Sequence, residues 1–126
     1  MSRLILDSGA FIAFEKGDAT VRARLAAARR LGIDVTTTSP VIGQVWRDGR
    51  RQALLARLLS ATHIFAPDAA AARRAGELLA KNKSDDVVDA LMAGLARDAD
   101  TILTSDSNDI RALLAAGGTG ATVLSI

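Results

Sequence analysis

Residues 3–12 read Arg3-Leu4-Ile5-Leu6-Asp7-Ser8-Gly9-Ala10-Phe11-Ile12, and this stretch decides the fold. Leu4, Ile5 and Leu6 form an apolar run of strand length, and Asp7 closes it. A carboxylate that ends an apolar strand is semi-buried and costly unless something compensates it. A second apolar run, Thr101-Ile102-Leu103-Thr104, leads in the same way into Ser105-Asp106. Between the two lies Asp85-Asp86-Val87-Val88-Asp89, which reads as the start of a helix. Carboxylates at strand ends and at a helix N-terminus can meet in space. Their repulsion then makes the cluster hard to keep ionised without a bound cation.

Working outward from this stretch, apolar runs of strand length alternate with segments of helical period. That rhythm implies a parallel α/β sheet. The expected strands are Arg3 to Leu6, Ile33 to Thr37, Thr62 to Ala66, Thr101 to Thr104 and Thr122 to Ser125. A helix from Ser8 ends at Gly17, and another from Ala19 to Leu31 ends at Gly32. Ser39-Pro40 reads as an N-cap followed by Pro at the first helical position, and Asp48-Gly49 as the break. Further helices are expected over Arg50–Leu59, Asp68–Ala80 and Ser107–Ala116. One more should run from a cap at Ser84 to about Asp98, after a turn at Lys81-Asn82-Lys83. No repeat or linker divides the chain, so residues 1–126 are expected to form a single domain.

At 126 residues the chain is long enough to bury a core without disulfide or structural metal. Hydrophobic residues make up 49% and aromatic residues only 3%, so the core must be mostly aliphatic. The absence of cysteine excludes disulfides, zinc–thiolate sites and thiol catalysis. No segment approaches the roughly 18 uninterrupted apolar residues of a membrane helix. Asp7 interrupts the first apolar run too early for a signal peptide. The expectation is a cytoplasmic protein with no membrane partner. A formal net charge of +2 says little by itself about nucleic acid.

In open parallel sheets, sites form beyond the carboxyl ends of the strands. Asp7 and Asp106 occupy such ends, and adjacency of their strands would bring them together. Asp86 and Asp89 stand three apart, as do Asp106 and Asp109, which on a helix places each pair on one face. Carboxylates without His or Cys ligands suit Mg²⁺ or Mn²⁺, metals that commonly serve phosphoryl chemistry by activating water. The one histidine, His63, lies far from them in sequence. No Ser–His pair and no P-loop competes. An aspartyl phosphatase would need a second Asp two residues after Asp7, where Gly9 stands. Each carboxylate also has an ordinary reading, since acidic residues at helix N-termini are favoured by the helix dipole.

These residues are familiar as a set. Leu6-Asp7-Ser8-Gly9-Ala10-Phe11-Ile12-Ala13 resembles the opening motif of PIN-domain nucleases, and Ser39-Pro40-Val41-Ile42-Gly43-Gln44-Val45-Trp46-Arg47 their second. Asp89-Ala90-Leu91-Met92-Ala93-Gly94-Leu95-Ala96 resembles the third, and Ile102-Leu103-Thr104-Ser105-Asp106-Ser107-Asn108-Asp109 the fourth. Four motifs in this order run essentially end to end, at the length of bacterial VapC toxins. The resemblance implies a three-layer α/β/α PIN-like fold with a central, mostly parallel sheet. It also implies a Mg²⁺-dependent (or Mn²⁺-dependent) endoribonuclease, the toxin of a pair inhibited by a VapB-like antitoxin, and a homodimer. Asp7, Asp89 and Asp106 match the family's catalytic metal acids, and Asp109 its more variable last acid. Metal-activated water would cut RNA to leave a 3′-hydroxyl and a 5′-phosphate.

One position departs from that pattern. The second motif usually supplies Glu, and here it is Gln44, whose amide can offer an oxygen but no charge. Asp86 is the group that could restore the missing charge to the metal set. A catalytically degenerate RNA- or protein-binding module on the same fold is the alternative. Arg47, Arg50 and Arg51, with Arg73, Arg74, Lys81 and Lys83, could hold RNA on both sides of the acidic centre, touch an antitoxin, or form solvated helix faces. Trp46 reads as a core or dimer-interface residue sooner than a base-stacking one.

Overall fold

The computed structural model describes residues 2–126. The elements run β1 (Arg3–Leu6), α1 (Ser8–Glu15), α2 (Ala19–Arg30), β2 (Asp34–Thr38), α3 (Ser39–Val45), α4 (Ala53–Ser60), β3 (His63–Phe65), α5 (Ala69–Asn82), α6 (Val87–Leu95), β4 (Thr101–Thr104), α7 (Ser107–Gly117) and β5 (Thr122–Ser125). The strands form one sheet in the order β3-β2-β1-β4-β5, and every pair is parallel. The chain builds β1, β2 and β3 toward one edge, then crosses back to lay β4 beside β1. The order of the sheet therefore reverses between β1 and β4, where open α/β folds place their sites.

Helices pack in two groups. α1 lies against α2, α3 and α4, while α5, α6 and α7 lie against one another. The sheet between these groups completes a three-layer α/β/α fold. The central strands are apolar because both faces are covered: Ile5, Leu6, Ile102 and Leu103 are buried. Phe11 is the largest fully buried side chain, and aliphatic residues surround it. Gly17 and Gly32 close α1 and α2 with φ of +82° and +68°, a backbone that side-chain-bearing residues rarely adopt.

Several boundaries differ from the expectation for local reasons. Ser39 is the first residue of α3, so Thr38 takes the N-cap place. α4 begins at Ala53 because the preceding loop is satisfied by Gln52. Its side-chain oxygen accepts from the Arg47 and Asp48 N–H groups, and its amide donates to the Val45 carbonyl. α5 continues through Asn82 and ends with Lys83 left-handed at φ 56° and the Ser84 N–H on the Leu79 carbonyl. Ser84 thus closes α5 rather than capping α6. Asp86 is the cap of α6, its Oδ1 accepting from the Asp89 N–H at 3.1 Å. α6 stops at Leu95, short of Asp98, because Ala96 turns extended and the Arg97 N–H binds the Asp100 carboxylate at 2.9 Å. Trp46 is not a core residue. It ends α3 at 37% exposure, with its ring close over Gly49.

Candidate metal centre

β1 and β4 are hydrogen-bonded neighbours, with Leu6 paired to Leu103, and the Asp7 N–H continues that ladder to the Leu103 carbonyl at 3.1 Å. This adjacency brings Asp7 and Asp106 to one end of the sheet. α6 enters the same end with Asp89 in its first turn. One carboxylate oxygen each from Asp7, Asp89 and Asp106 lies within 4.8 Å of the other two. Asp7 and Asp89 are buried and Asp106 is exposed, so the cluster meets solvent on the Asp106 side.

Asp7 is held on both oxygens. Its Oδ1 accepts from the Ser8 N–H at 2.6 Å and its Oδ2 from the Thr104 hydroxyl at 2.6 Å. Thr104 Oγ1 in turn accepts from the Asp106 N–H at 2.9 Å. One threonine thus fixes the Asp7 carboxylate and the backbone of Asp106 together. Asp106 occupies the N-cap place of α7 but makes no capping bond with its side chain, which leaves its carboxylate free to bind something else.

No lysine or arginine forms an ion pair with these groups among the described residues. The consequence is electrostatic. Burial, and then the charges of Asp7, Asp86, Asp106 and Asp109, raise the Asp89 pKa from 3.8 to about 7. Burial and then Asp7, Asp109 and Asp86 push Asp106 upward as well. A divalent cation among the three oxygens would reverse both effects, and an all-carboxylate set suits a hard ion such as Mg²⁺ or Mn²⁺. The residues present therefore fit such an ion.

The other positions singled out from sequence fall differently. Asp86 and Asp109 act on the cluster through charge but are not among its three converging oxygens. Asp86 in particular spends Oδ1 on capping α6 through the Asp89 N–H, so it stands at the start of the helix and not within it. Gln44 is exposed on α3. Arg47, Arg50 and Arg51 follow α3 in a loop whose Gln52 reaches Glu15, the last residue of α1, at 3.3 Å. Because α1 begins beside Asp7, that loop lies about one eight-residue helix, ~12 Å, away from the carboxylates. Arg47 also turns its guanidinium back onto the Gly43 and Trp46 carbonyls. Lys83 ends α5, three residues before the cap of α6 at Asp86. The sequence reading passed over Thr104. Its position directly before Ser105-Asp106, on the face shared with Asp7, was the available signal.

An all-parallel α/β/α fold with acids gathered at the reversal of strand order defines a class of acid-centred α/β domain. Within it the family is specific: the PIN domain profile matches residues 4–113, and the chain belongs to the PIN domain family. Among solved structures, the chain is similar to one in VapBC2 from Rickettsia felis bound to a DNA fragment from their promoter. The TM-score is 0.73 at 17% identity, covering 100% of this chain and 99% of that one. It is also similar to a chain of FitAB bound to an IR36 DNA fragment, with TM-score 0.69, 16% identity, and 97% and 94% covered. Comparison with curated protein sequences gives no match.

Proposed function

We propose that this protein is a divalent-metal-dependent endoribonuclease that acts as the toxin of a VapBC-like pair. The observation that carries the reading is the convergence of Asp7, Asp89 and Asp106 within 4.8 Å at the strand-order reversal of a PIN fold. Mg²⁺ or Mn²⁺ held there would supply Lewis-acid activation of a water and neutralise phosphodiester charge. Asp7, fixed by Ser8 and Thr104, would offer an immobile oxygen to the ion. Asp89 would release its proton on binding. Asp106, open to solvent, would complete the set on the side from which RNA enters. Asp86 and Asp109 would add negative charge around the set, and Gln44 an uncharged oxygen at its rim. Hydrolysis would leave a 3′-hydroxyl and a 5′-phosphate.

The antitoxin reading draws support from the two similar structures, those of VapBC2 and FitAB. It also has a surface to use. A groove between α2 and α4 has Leu25 and Leu58 in its floor and Arg22, Arg29, Arg30 and Arg57 at its rim. None of these arginines has an acidic partner among the described residues, so an acidic, apolar segment of a VapB-like partner suits it. The groove also touches Asp34 and His63, at the amino ends of β2 and β3. A partner seated there would have to extend along the molecule to cover the carboxylates. A homodimer and a cytoplasmic location complete the proposal. No helix among the described residues is long and apolar enough to cross a membrane.

The test is cleavage of a mixed tRNA and rRNA pool with Mg²⁺ or Mn²⁺, with and without chelator, beside Asp7→Asn. Metal-dependent cutting that falls at least ~100-fold in the variant is expected, as for loss of a group acting in the transition state. Cutting that survives chelator, or that the variant retains, overturns the mechanism. RNA binding without cleavage selects the degenerate binding module, to which Gln44 lends itself. If Arg47, Arg50 and Arg51 touch phosphates, their removal should shrink the salt dependence of RNA binding.

A further inference from the structure

The buried hydroxyls at the carboxyl end of the sheet are unequally used. Thr37 donates to the Leu6 carbonyl at 2.8 Å, and Thr104 donates to Asp7 at 2.6 Å. Thr38, at 0% exposure, has no hydrogen-bond partner for its Oγ1 among the described residues, and it is the one buried side-chain polar atom there of which this is true. A buried hydroxyl without a partner is unfavourable, and folds rarely leave one without a use.

Its place in the sheet says where that hydroxyl faces. Thr36 pairs with Ile5, and Ile5 pairs with Ile102. Two residues further along each strand come Thr38, Asp7 and Thr104. Side chains alternate with period two, so these three form one row on the same face. Asp7 meets Asp89 of α6 on that face, and α6 also packs against β2. Neighbouring strands lie about 4.8 Å apart, which puts Thr38 one strand from Asp7 on the side opposite Thr104. Thr38 also holds the N-cap place of α3, where a threonine hydroxyl ordinarily accepts from a nearby backbone N–H. Here it makes no such bond. The hydroxyl has forgone its local use while facing the carboxylate row.

We infer that Thr38 is a further residue of the metal centre: its hydroxyl binds a water of the coordinated cation on the β2 side, as Thr104 holds Asp7 on the β4 side. The inference rests on the cation reading proposed above and adds a position outside the acidic motifs. A hydroxyl suits the task because it can donate to a carboxylate and accept from a metal-bound water at once. Thr38 touches the ion's water, not the ion, and so acts as a positioning residue.

The experiment compares the unaltered chain with Thr38→Val, which keeps the shape and removes the hydroxyl, and Thr38→Ser, which keeps the hydroxyl. Mn²⁺ affinity is read by electron paramagnetic resonance, and metal-free thermal stability by calorimetry. Thr38→Val should weaken Mn²⁺ binding about tenfold, the scale expected when a group supporting a metal's ligands is removed. Thr38→Ser should stay within about threefold of the unaltered chain. The metal-free Val variant should melt no lower, since it loses an unpartnered hydroxyl. Unchanged Mn²⁺ affinity in Thr38→Val overturns the role of Thr38 and leaves the cation reading standing. A lower metal-free melting temperature overturns it too, because the hydroxyl would then have a protein partner. Failure of the unaltered chain to bind Mn²⁺ overturns the cation reading and this inference together.

Discussion

Two buried aspartate sites stand at opposite ends of the same sheet and solve the same problem in opposite ways. At the amino end, Asp100 precedes β4 at 1% exposure and faces Arg3 at the start of β1. It accepts from the Arg3 backbone N–H at 2.9 Å, from the Arg3 guanidinium at 3.2 and 2.6 Å, and from the Arg97 N–H at 2.9 Å. Burial alone would raise its pKa, but the Arg3 hydrogen bonds, the Arg97 amide and the Arg3 charge outweigh burial and hold it below the usual carboxylate range. At the carboxyl end, Asp89 is equally inaccessible at 4%, yet its neighbours are other acids and its pKa rises to about 7. Burial is shared, so the difference is the partner. The fold neutralises one carboxylate from within and leaves the other without an internal countercharge.

The comparison breaks first at Asp100. Removing one member of a buried pair leaves the other uncompensated, and this commonly costs several kcal/mol. Arg3 retains some contact with water, its side chain being 22% exposed, so Asp100→Ala should cost about 3 kcal/mol, read by urea unfolding at pH 7. A loss under about 1 kcal/mol would make the pair equivalent to a surface one.

Asp89 should respond with the opposite sign. Its folded pKa lies above the unfolded value, so the stability it contributes is full below pH 3.8 and is lost as pH rises through about 7. For Asp100, whose folded pKa is depressed, the contribution is present above the unfolded value and lost on acidification. Metal-free protein should therefore lose stability between pH 4 and pH 8. The full shift at Asp89 corresponds to about 4 kcal/mol at 1.36 kcal/mol per unit, and solvent screening on the exposed Asp106 side reduces this to about 2 kcal/mol. Asp89→Asn should flatten the profile and be the more stable protein at pH 8. Millimolar Mn²⁺ should restore the unaltered chain at pH 8 and leave the variant unmoved. A flat metal-free profile in the unaltered chain would mean that the cluster is already neutralised.

Crowding at the carboxyl end can be tested separately from charge. A Cβ built on Gly9 would meet the Ser105 side chain, with Ser105 Cβ only 2.9 Å away and its backbone nitrogen at 3.3 Å. Gly9→Ala should thus push the loop that carries Asp106 away from α1, at about 1 kcal/mol of stability. Weaker Mn²⁺ binding should accompany it. Unchanged stability would show that Ser105 can turn aside.

What could be read in the sequence follows the range of the forces involved. The strands at Arg3–Leu6, Thr101–Thr104 and Thr122–Ser125 were legible because apolar runs between polar ends are local signals. The parallel rhythm left the order of the strands open: adjacency of β1 and β4 was the condition for Asp7 and Asp106 to share a site, and the sheet meets it. Caps were harder. Ser84, Asp85 and Asp86 all suit a cap, and the choice among them is made by the left-handed turn at Lys83 that ends α5, which no local pattern specifies. Reading the wrong cap placed Asp86 within the helix when it is the residue that caps it. The threonines were invisible for a different reason. Thr37, Thr38 and Thr104 look alike as β-branched strand residues, and only their partners across strands distinguish them.

The smallest expected effect falls at Gln44, where the comparison can be sharpened without touching either buried aspartate. α3 begins at the carboxyl end of β2, beside the carboxylate row, and Gln44 is exposed on it. Gln44→Glu would add one more acid near a region that already lacks internal cations. Without metal, the added repulsion should cost below about 0.5 kcal/mol, because an exposed charge is screened by solvent. With metal, the same charge should strengthen Mn²⁺ binding a few-fold, less than 1.4 kcal/mol per tenfold would require of a direct ligand. The two signs must oppose each other if Gln44 borders the centre. A variant whose stability falls with no gain in Mn²⁺ affinity would place Gln44 outside the reach of the ion. The three converging aspartates would then be the whole of the charge this fold offers it.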